Sequence, residues 1–290
     1  MTTTSKNAPS PTSSSPVSST ENKKEIYERI ITTLPQVVSL LLAEQGQAPE
    51  MSPDPKAQWE LFRALVNTRM PQPASAEFIV LQDQLLQDIL SYRGAVDPST
   101  LPYASDAFPI KLWQGDITTL ATDAIVNAAN SQMLGCFVPG HHCIDNAIHT
   151  FAGVELRLEC ARLMAEQGYP EPTGMAKVTD AFNLPSKKII HTVGPIAEGN
   201  ATPSDCALLA NCYTACLDAA LDQSCTSLAF CCISTGVFSF PQEKAARIAV
   251  SSVVEWLKAQ AKAHASVPEV IFNVFLDTDR VCYEEILKAR

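Results

Sequence analysis

From Pro109 onward, short apolar runs alternate with segments of helical period. They are "IKLWQGDI", "DAIVNAA", a helix from about Ile144, "KKIIHTV", a helix near Ala207 to Leu221, "SLAFCCI", a helix from Pro241, "EVIFNVFL" and a last helix. Runs of Val, Ile, Leu and Phe without polar alternation suit strands buried on both faces, and the intervening helices supply the cover. The expected fold is therefore α/β, a sandwich with a largely parallel sheet. No internal repeat is visible.

The chain ahead of this pattern has another character. Residues 1–22, "MTTTSKNAPSPTSSSPVSSTEN", hold almost no aliphatic side chains, so burial cannot offset their ordering entropy and a disordered tail is expected. The absence of Arg there argues against a transit peptide. From Lys23 the apolar spacing is helical, with Trp59, Phe62 and Leu65 in one segment and Phe78, Leu81, Leu85 and Ile89 in the next. Pro55 suits a first helical turn, Ser75 an N-cap and Gly94 a helix end. The expected organisation is a tail over 1–22, a helical extension over 23–100 and the main domain over 101–290.

Composition excludes several classes of function. The net charge is −10 and no Lys/Arg cluster reverses it locally, so a nucleic-acid backbone would be repelled. No stretch reads as the run of about 20 apolar residues that a membrane span needs, and no apolar secretory core opens the chain. The expected location is cytoplasmic, with organellar targeting left open, and no membrane partner. Ten cysteines lie mostly in apolar segments such as "SLAFCCI", where a reduced thiol acts as a small hydrophobe. Cys136 and Cys143 do not.

Two stretches carry candidate chemistry. In "CISTGVFSFPQEKAARIAV", a buried strand ends at a Ser-Thr-Gly turn before a helix whose apolar face holds Ala245, Ile248, Ala249, Val253 and Trp256. Such a turn at the carboxyl end of a strand presents backbone N–H groups to an anion, although an ordinary connecting loop reads the same way. In the second stretch, Cys136, His141 and Cys143 combine thiolates and an imidazole, the preferred zinc ligands, and three protein ligands leave a fourth position open for chemistry. His142 would point elsewhere, and Gly135, Pro139 and Gly140 supply the turns. On the residues alone, two buried thiols with solvated loop histidines stay an open alternative.

The flanking segments make a specific resemblance. "GDITTLATDAIVNAANSQMLG", "AIHTFAG", "LPSKKIIHTVGP", "ISTGVFSFP" and "VIFNVFLDTDRVCYEEIL", in this order from about Pro109 to Arg290, resemble a macrodomain, the α/β/α module that binds ADP-ribose. Where the hydrolytic macrodomains continue in a glycine-rich run, this chain keeps Gly135 and then has the longer "CFVPGHHC". That replacement, with a helical N-terminal extension, is similar to the zinc-containing branch of the family. The resemblance implies a three-layer α/β/α fold with a mixed, largely parallel sheet, and Zn2+ held by Cys136, His141 and Cys143.

It also implies roles. Asp116 matches the carboxylate that holds the adenine amino group, with Ile117 adding backbone contact. Asn130 matches the asparagine at the distal ribose. Ser234, Thr235, Gly236, Val237 and Phe238 match the loop that cradles the diphosphate. Asp145 matches the acid that places or activates water in the hydrolases without zinc. His149 is expected to be a helix residue with a structural hydrogen bond. Asp180 and Ala181 stand where many macrodomains have glycine, which would alter that edge of the pocket. Phe275 and Asp277 could border the adenine, but Phe275 is expected instead as a buried strand residue and Asp277 as a helix N-cap.

The implied activity is zinc-dependent removal of ADP-ribose from mono-ADP-ribosylated protein side chains, with an ester to an acidic residue as the expected linkage. Zinc would touch the distal ribose directly. A non-catalytic ADP-ribose reader is the alternative, and a structural zinc site would need a fourth ligand. ADP-ribose and a modified protein are the implied partners, and bacterial relatives of this branch add a sirtuin-like ADP-ribosyltransferase and a lipoyl-carrier protein.

Overall fold

Asp54 accepts from the backbone N–H groups of Lys56 and Ala57, and Pro55 occupies the first position of the helix that follows. Ser75 accepts from Phe78 N in the same way, and Gly94 closes that helix at φ +85. These caps bound two of the three helices of the extension: α1 (Lys23–Glu44), α2 (Pro55–Thr68) and α3 (Ala76–Arg93). The computed structural model describes residues 23–48, 50–263 and 266–289, so the expected tail at 1–22 lies outside the described residues.

The elements that follow are β1 (Ile110–Gln114), β2 (Ala124–Ala129), α4 (Ile144–Ala152), α5 (Val154–Gln167), β3 (Ala176–Asp180), β4 (Lys188–Val193), α6 (Pro203–Asp222), β5 (Ser227–Phe230), α7 (Gln242–Lys262), β6 (Glu269–Val274) and α8 (Asp277–Lys288). The strands form one sheet in the order β1-β6-β5-β2-β4-β3. Every neighbouring pair is parallel except β3 with β4. Helices α6, α7 and α8 pack side by side, while α4 and α5 pack against each other and against β2 and β3. Cover from both groups leaves β2, β4 and β5 almost wholly buried.

Two elements were not expected from the sequence, and the reason is the same for both. In β3, "AKVTD", only Thr179 is buried, so an edge strand shows no apolar run. In α5, "VELRLECARLMAEQ", the buried face includes Arg157, which interrupts the apolar stripe.

The extension has its own core, in which Leu34, Val37, Val38, Phe62 and Leu85 meet Phe151 of α4 and Val154 of α5. Trp59 stacks on both Phe62 and Phe151, with ring centroids 5.2 and 5.8 Å apart. Contrary to the expectation that no stretch suits a membrane, α1 is long and apolar enough to cross one by length and composition. Its Val37 and Val38 are fully buried in the extension core.

Behind the strand ends lies a buried polar pair. Asn127 on β2 donates through Nδ2 to His191 Nδ1 on β4, 3.1 Å away, and His191 Nε2 lies 3.0 Å from Thr179 Oγ1 on β3. An accepting Nδ1 places the ring hydrogen on Nε2, so the imidazole is neutral. Burial pushes its pKa from the ordinary 6.5 down to about 3. The unfolded chain therefore takes up a proton below pH 6.5 that the folded chain refuses until about pH 3. The stability this histidine contributes is full above that window and is lost through it, at a slope of up to about 1.4 kcal/mol per pH unit. Denaturant unfolding at a series of pH values should show His191→Gln losing less stability than the wild type between these limits; parallel profiles would refute the assignment.

Candidate functional site

Because β1, β2, β5 and β6 are parallel, their carboxyl ends reach one edge of the sheet, where an open α/β fold collects ligands. Asp116 follows β1, Asn130 follows β2, Ser234 to Phe238 follow β5 and Phe275 follows β6.

Asp116 caps the short turn Ile117–Thr119, accepting from Thr118 N at 2.9 Å and Thr118 Oγ1 at 2.6 Å. Its other oxygen pairs with the guanidinium of Arg93, from the last turn of α3. That guanidinium also lies 4.3 Å above the Phe151 ring. Any ligand amino group would share the carboxylate with Arg93, a partner whose only sequence signal was a cation at a helix end. Ile117 is 1% exposed and its carbonyl is taken by Leu120 N, which leaves its N–H as the backbone group without a described partner.

The loop after β5 presents donors that could cradle an anion. Among the described residues, the N–H groups of Gly236, Val237 and Phe238 have no backbone partner, whereas the carbonyls of Ser234, Gly236 and Phe238 are taken by Phe240 N, Ser239 N and Ala197 N. Ser234 has φ +67. Its hydroxyl is buried without a partner. Thr235 Oγ1 donates to Cys232 O at 3.1 Å and braces the turn. Successive free N–H groups in such a turn suit a phosphate without any basic side chain.

Cys136, His141 and Cys143 come together, with one ligand atom from each lying within 4.8 Å of the others. Cys136 Sγ is 3.5 Å from His141 Nδ1. Tetrahedral bonds of about 2.3 Å to sulfur and about 2.0 Å to nitrogen separate such atoms by about 3.5 Å, so the donor set fits a zinc-sized ion. Among the described residues no fourth donor joins the group, and His142 is exposed. Cys143 also caps α4, accepting from Asn146 N at 3.4 Å. Burial pushes its thiol up to about 12, so at neutral pH only a cation would draw off the proton.

Beside these ligands lies a buried carboxylate. Asp145 Oδ1 accepts from Asn127 Nδ2 at 2.8 Å, and Oδ2 lies 3.5 Å from Asn130 Nδ2. Burial pushes Asp145 up to about 6. The Asn130 side chain also ties the loop, donating to Gly135 O at 3.0 Å and accepting from Gln132 N at 2.9 Å. Gly135 has φ +78, and a Cβ there would meet the His149 ring at 3.0 Å. The hydrogen bond expected for His149 is absent, since both ring nitrogens are buried without one and Asp145 Oδ1 stands 3.5 Å from Nε2. Burial keeps this ring neutral by lowering its pKa.

Three further expectations are corrected. Because β3 runs antiparallel, Asp180 pairs with Lys188 at the start of β4, which places Asp180 and Ala181 at the opposite edge of the sheet from Asn130. Phe275 is 71% exposed, because β6 ends at Val274. Asp277 is the first residue of α8, capped by Leu276, and its carboxylate accepts from Gln114 Nε2 at 3.1 Å.

Residues 126–249 match the Macro domain family. A protein-ADP-ribose hydrolase of Treponema medium is 51% identical over 239 residues, 81% of this chain and 89% of that protein. The chain belongs to the macro domain family. Another protein-ADP-ribose hydrolase, from Staphylococcus aureus (strain MRSA252), is 50% identical over 229 residues, 78% of this chain and 84% of that protein. Among solved structures, the Trypanosoma brucei macrodomain in complex with ADP-ribose superposes with a TM-score of 0.58 at 28% identity, over 81% of this chain and 96% of that one. The expected α/β macrodomain fold, with its mixed sheet and N-terminal helices, is the fold found.

In this macro domain the loop after β5 leans on Gly194. A Cβ there would overlap Ser234 Oγ and lie 2.9 Å from Ile233 Cγ2, whereas Gly236 faces open space. Gly194→Ala should destabilise the protein by about 1–3 kcal/mol through overpacking. Gly236→Ala should be near neutral, and thermal unfolding of the two variants checks the contrast.

Proposed function

We propose that this macro domain is a zinc-dependent hydrolase that removes ADP-ribose from mono-ADP-ribosylated protein side chains, cleaving the ester to an acidic residue. The observation that carries the reading is the donor set of Cys136, His141 and Cys143, within 4.8 Å of one another and with no fourth protein ligand among the described residues. A structural zinc site is closed by four ligands, whereas a catalytic one keeps a position open. The activity named for the Treponema medium and Staphylococcus aureus relatives, protein-ADP-ribose hydrolase, supports the hydrolase part of this reading.

Each part of the edge has a task in it. The free N–H groups of Gly236, Val237 and Phe238 take the diphosphate, with the Ser234 hydroxyl beside them and Thr235 bracing the turn. Asp116 and the backbone of Ile117 take the adenine. Asn130 orients the distal ribose. The two cysteines and His141 would hold a zinc ion, which would supply Lewis-acid polarisation of a ribose hydroxyl or of the scissile linkage. Asp145 orients water, and a carboxyl pushed up to about 6 by burial exchanges a proton readily near neutrality. Water adds across the ester, and the products are free ADP-ribose and the restored acidic side chain. The ten cysteines are all free, which supports a reducing compartment inside the cell.

Release of ADP-ribose from a protein modified on acidic residues is the direct test, with metal content measured alongside. Wild type should carry one zinc per chain and turn over, and Cys143→Ala should lose zinc and about 100-fold or more of the activity. Asp145→Asn should lower kcat by about 100-fold with ADP-ribose affinity kept. A wild-type protein that binds ADP-ribose but releases none from any linkage is a reader, and the hydrolase reading then fails.

A further inference from the structure

Arg63 and Asn67 stand one helical turn apart on α2, so they share a face. Both are buried, with 8% and 1% exposure, in an extension far from the metal ligands in sequence. Arg63 Nη2 donates to the carbonyls of Gly140 at 3.3 Å and His141 at 3.1 Å. Asn67 Oδ1 accepts from Gly140 N at 3.1 Å, and its Nδ2 donates to Thr150 Oγ1 at 3.1 Å. Thr150 is linked in turn to Asn146, whose amide donates to Val138 O at 3.2 Å and whose backbone N–H reaches Cys143 Sγ.

The front of the same loop is held from α5. Arg157 Nε donates to Leu134 O at 2.7 Å, its Nη1 donates to the carbonyls of Val66 and Arg69 at the end of α2, and its guanidinium lies 4.5 Å over the Phe137 ring. Within the loop the described backbone bonds are few: Met133 N to Asn130 O, and His141 N to Val138 O. A stretch with so little internal bonding does not fix three ligand atoms by itself. The extension's bonds converge on the two residues, Gly140 and His141, that set where the imidazole stands.

We infer that the helical extension is the outer frame of the metal centre, in which Arg63 and Asn67 are positioning residues that set His141 against Cys136 and Cys143. The inference rests on the zinc reading above. Burying a guanidinium is costly unless its donors are met, and here Nη1 pairs with Glu60 at 3.3 Å while Nη2 is met by the Gly140 and His141 carbonyls. Groups that orient a metal ligand typically change metal affinity by about 10–100-fold when removed.

The test measures zinc affinity of the full chain by competition with a chromophoric chelator, for wild type, Arg63→Met, Arg63→Lys and Asn67→Ser. The visible spectrum of the cobalt-loaded proteins and ADP-ribose affinity of the metal-free proteins are recorded beside it. Arg63→Met and Asn67→Ser should bind zinc about 10–100-fold more weakly and shift the cobalt bands. Metal-free ADP-ribose affinity should stay within about twofold, because the diphosphate cradle lies on another loop. Arg63→Lys should stay as weak as Arg63→Met, since a single ammonium lacks the fork that meets Glu60 through Nη1 while Nη2 meets the two carbonyls. Should Arg63→Met not fold, Asn67→Ser carries the test. Wild-type zinc affinity with an unchanged cobalt spectrum in these variants overturns the inference, as does full rescue by Arg63→Lys, which would mark a charge effect. A wild type that takes up no zinc overturns the zinc reading and this inference together, a result distinct from both.

Discussion

One hydrogen bond, from Asn127 Nδ2 to Asp145 Oδ1, joins the centre of the sheet to the helix that begins at the loop of Cys136, His141 and Cys143. Both residues are buried, and a carboxylate left unpaired there would be costly. Through this contact β2 sets α4, and α4 sets what lies at its N-terminus, including Cys143 as its cap. The same amide reaches His191, so β4 is held by the same residue. Asn130, three positions along, closes the other side against Gly135 and lies near the second oxygen of Asp145. Displacing Asp145 would therefore disturb the ligand loop, the ribose-side asparagine and the strand pairing together.

What the sequence made legible was the part governed by burial on a regular period. Strands such as "AIVNAA" and "KIIHTV" are covered on both faces, so their residues are apolar at nearly every position and stand out. The caps at Ser75 and Gly94 were legible because each follows from local backbone chemistry. The edge strand β3 was not, because only Thr179 in it is buried and its Lys177 and Asp180 are ion-paired with Glu171 and Lys188 rather than packed in an apolar run. The reversal of β3 also moved Asp180 and Ala181 away from the edge where a parallel reading would have set them. Cys136, His141 and Cys143 were legible as a donor set from type and spacing. The side chains that hold their loop were not, because Arg63, Asn67 and Arg157 are polar residues inside helices and their partners are backbone carbonyls remote in sequence.

Arginines around the site share a feature that bears on how an acidic protein takes an anion. Arg93 is paired with Asp116, Arg63 with loop carbonyls, and Arg157 with carbonyls of α2 and the loop. Each stands within the frame and has at least one nitrogen engaged there. The donors left free at the strand ends are backbone N–H groups of Gly236, Val237 and Phe238. Their charge is partial and fixed in direction by the turn, so they favour an anion without carrying net charge into a chain already at −10. A fixed array of this kind selects by geometry, since a phosphate must sit where several N–H vectors converge. A lysine would follow the anion wherever it moved. On the proposed reading, the arginines frame the cleft and backbone dipoles would supply its attraction for phosphate. An open edge with its own guanidinium would hold anions of many shapes, whereas this arrangement ties anion binding to the turn that Gly194 and Ser234 keep in place.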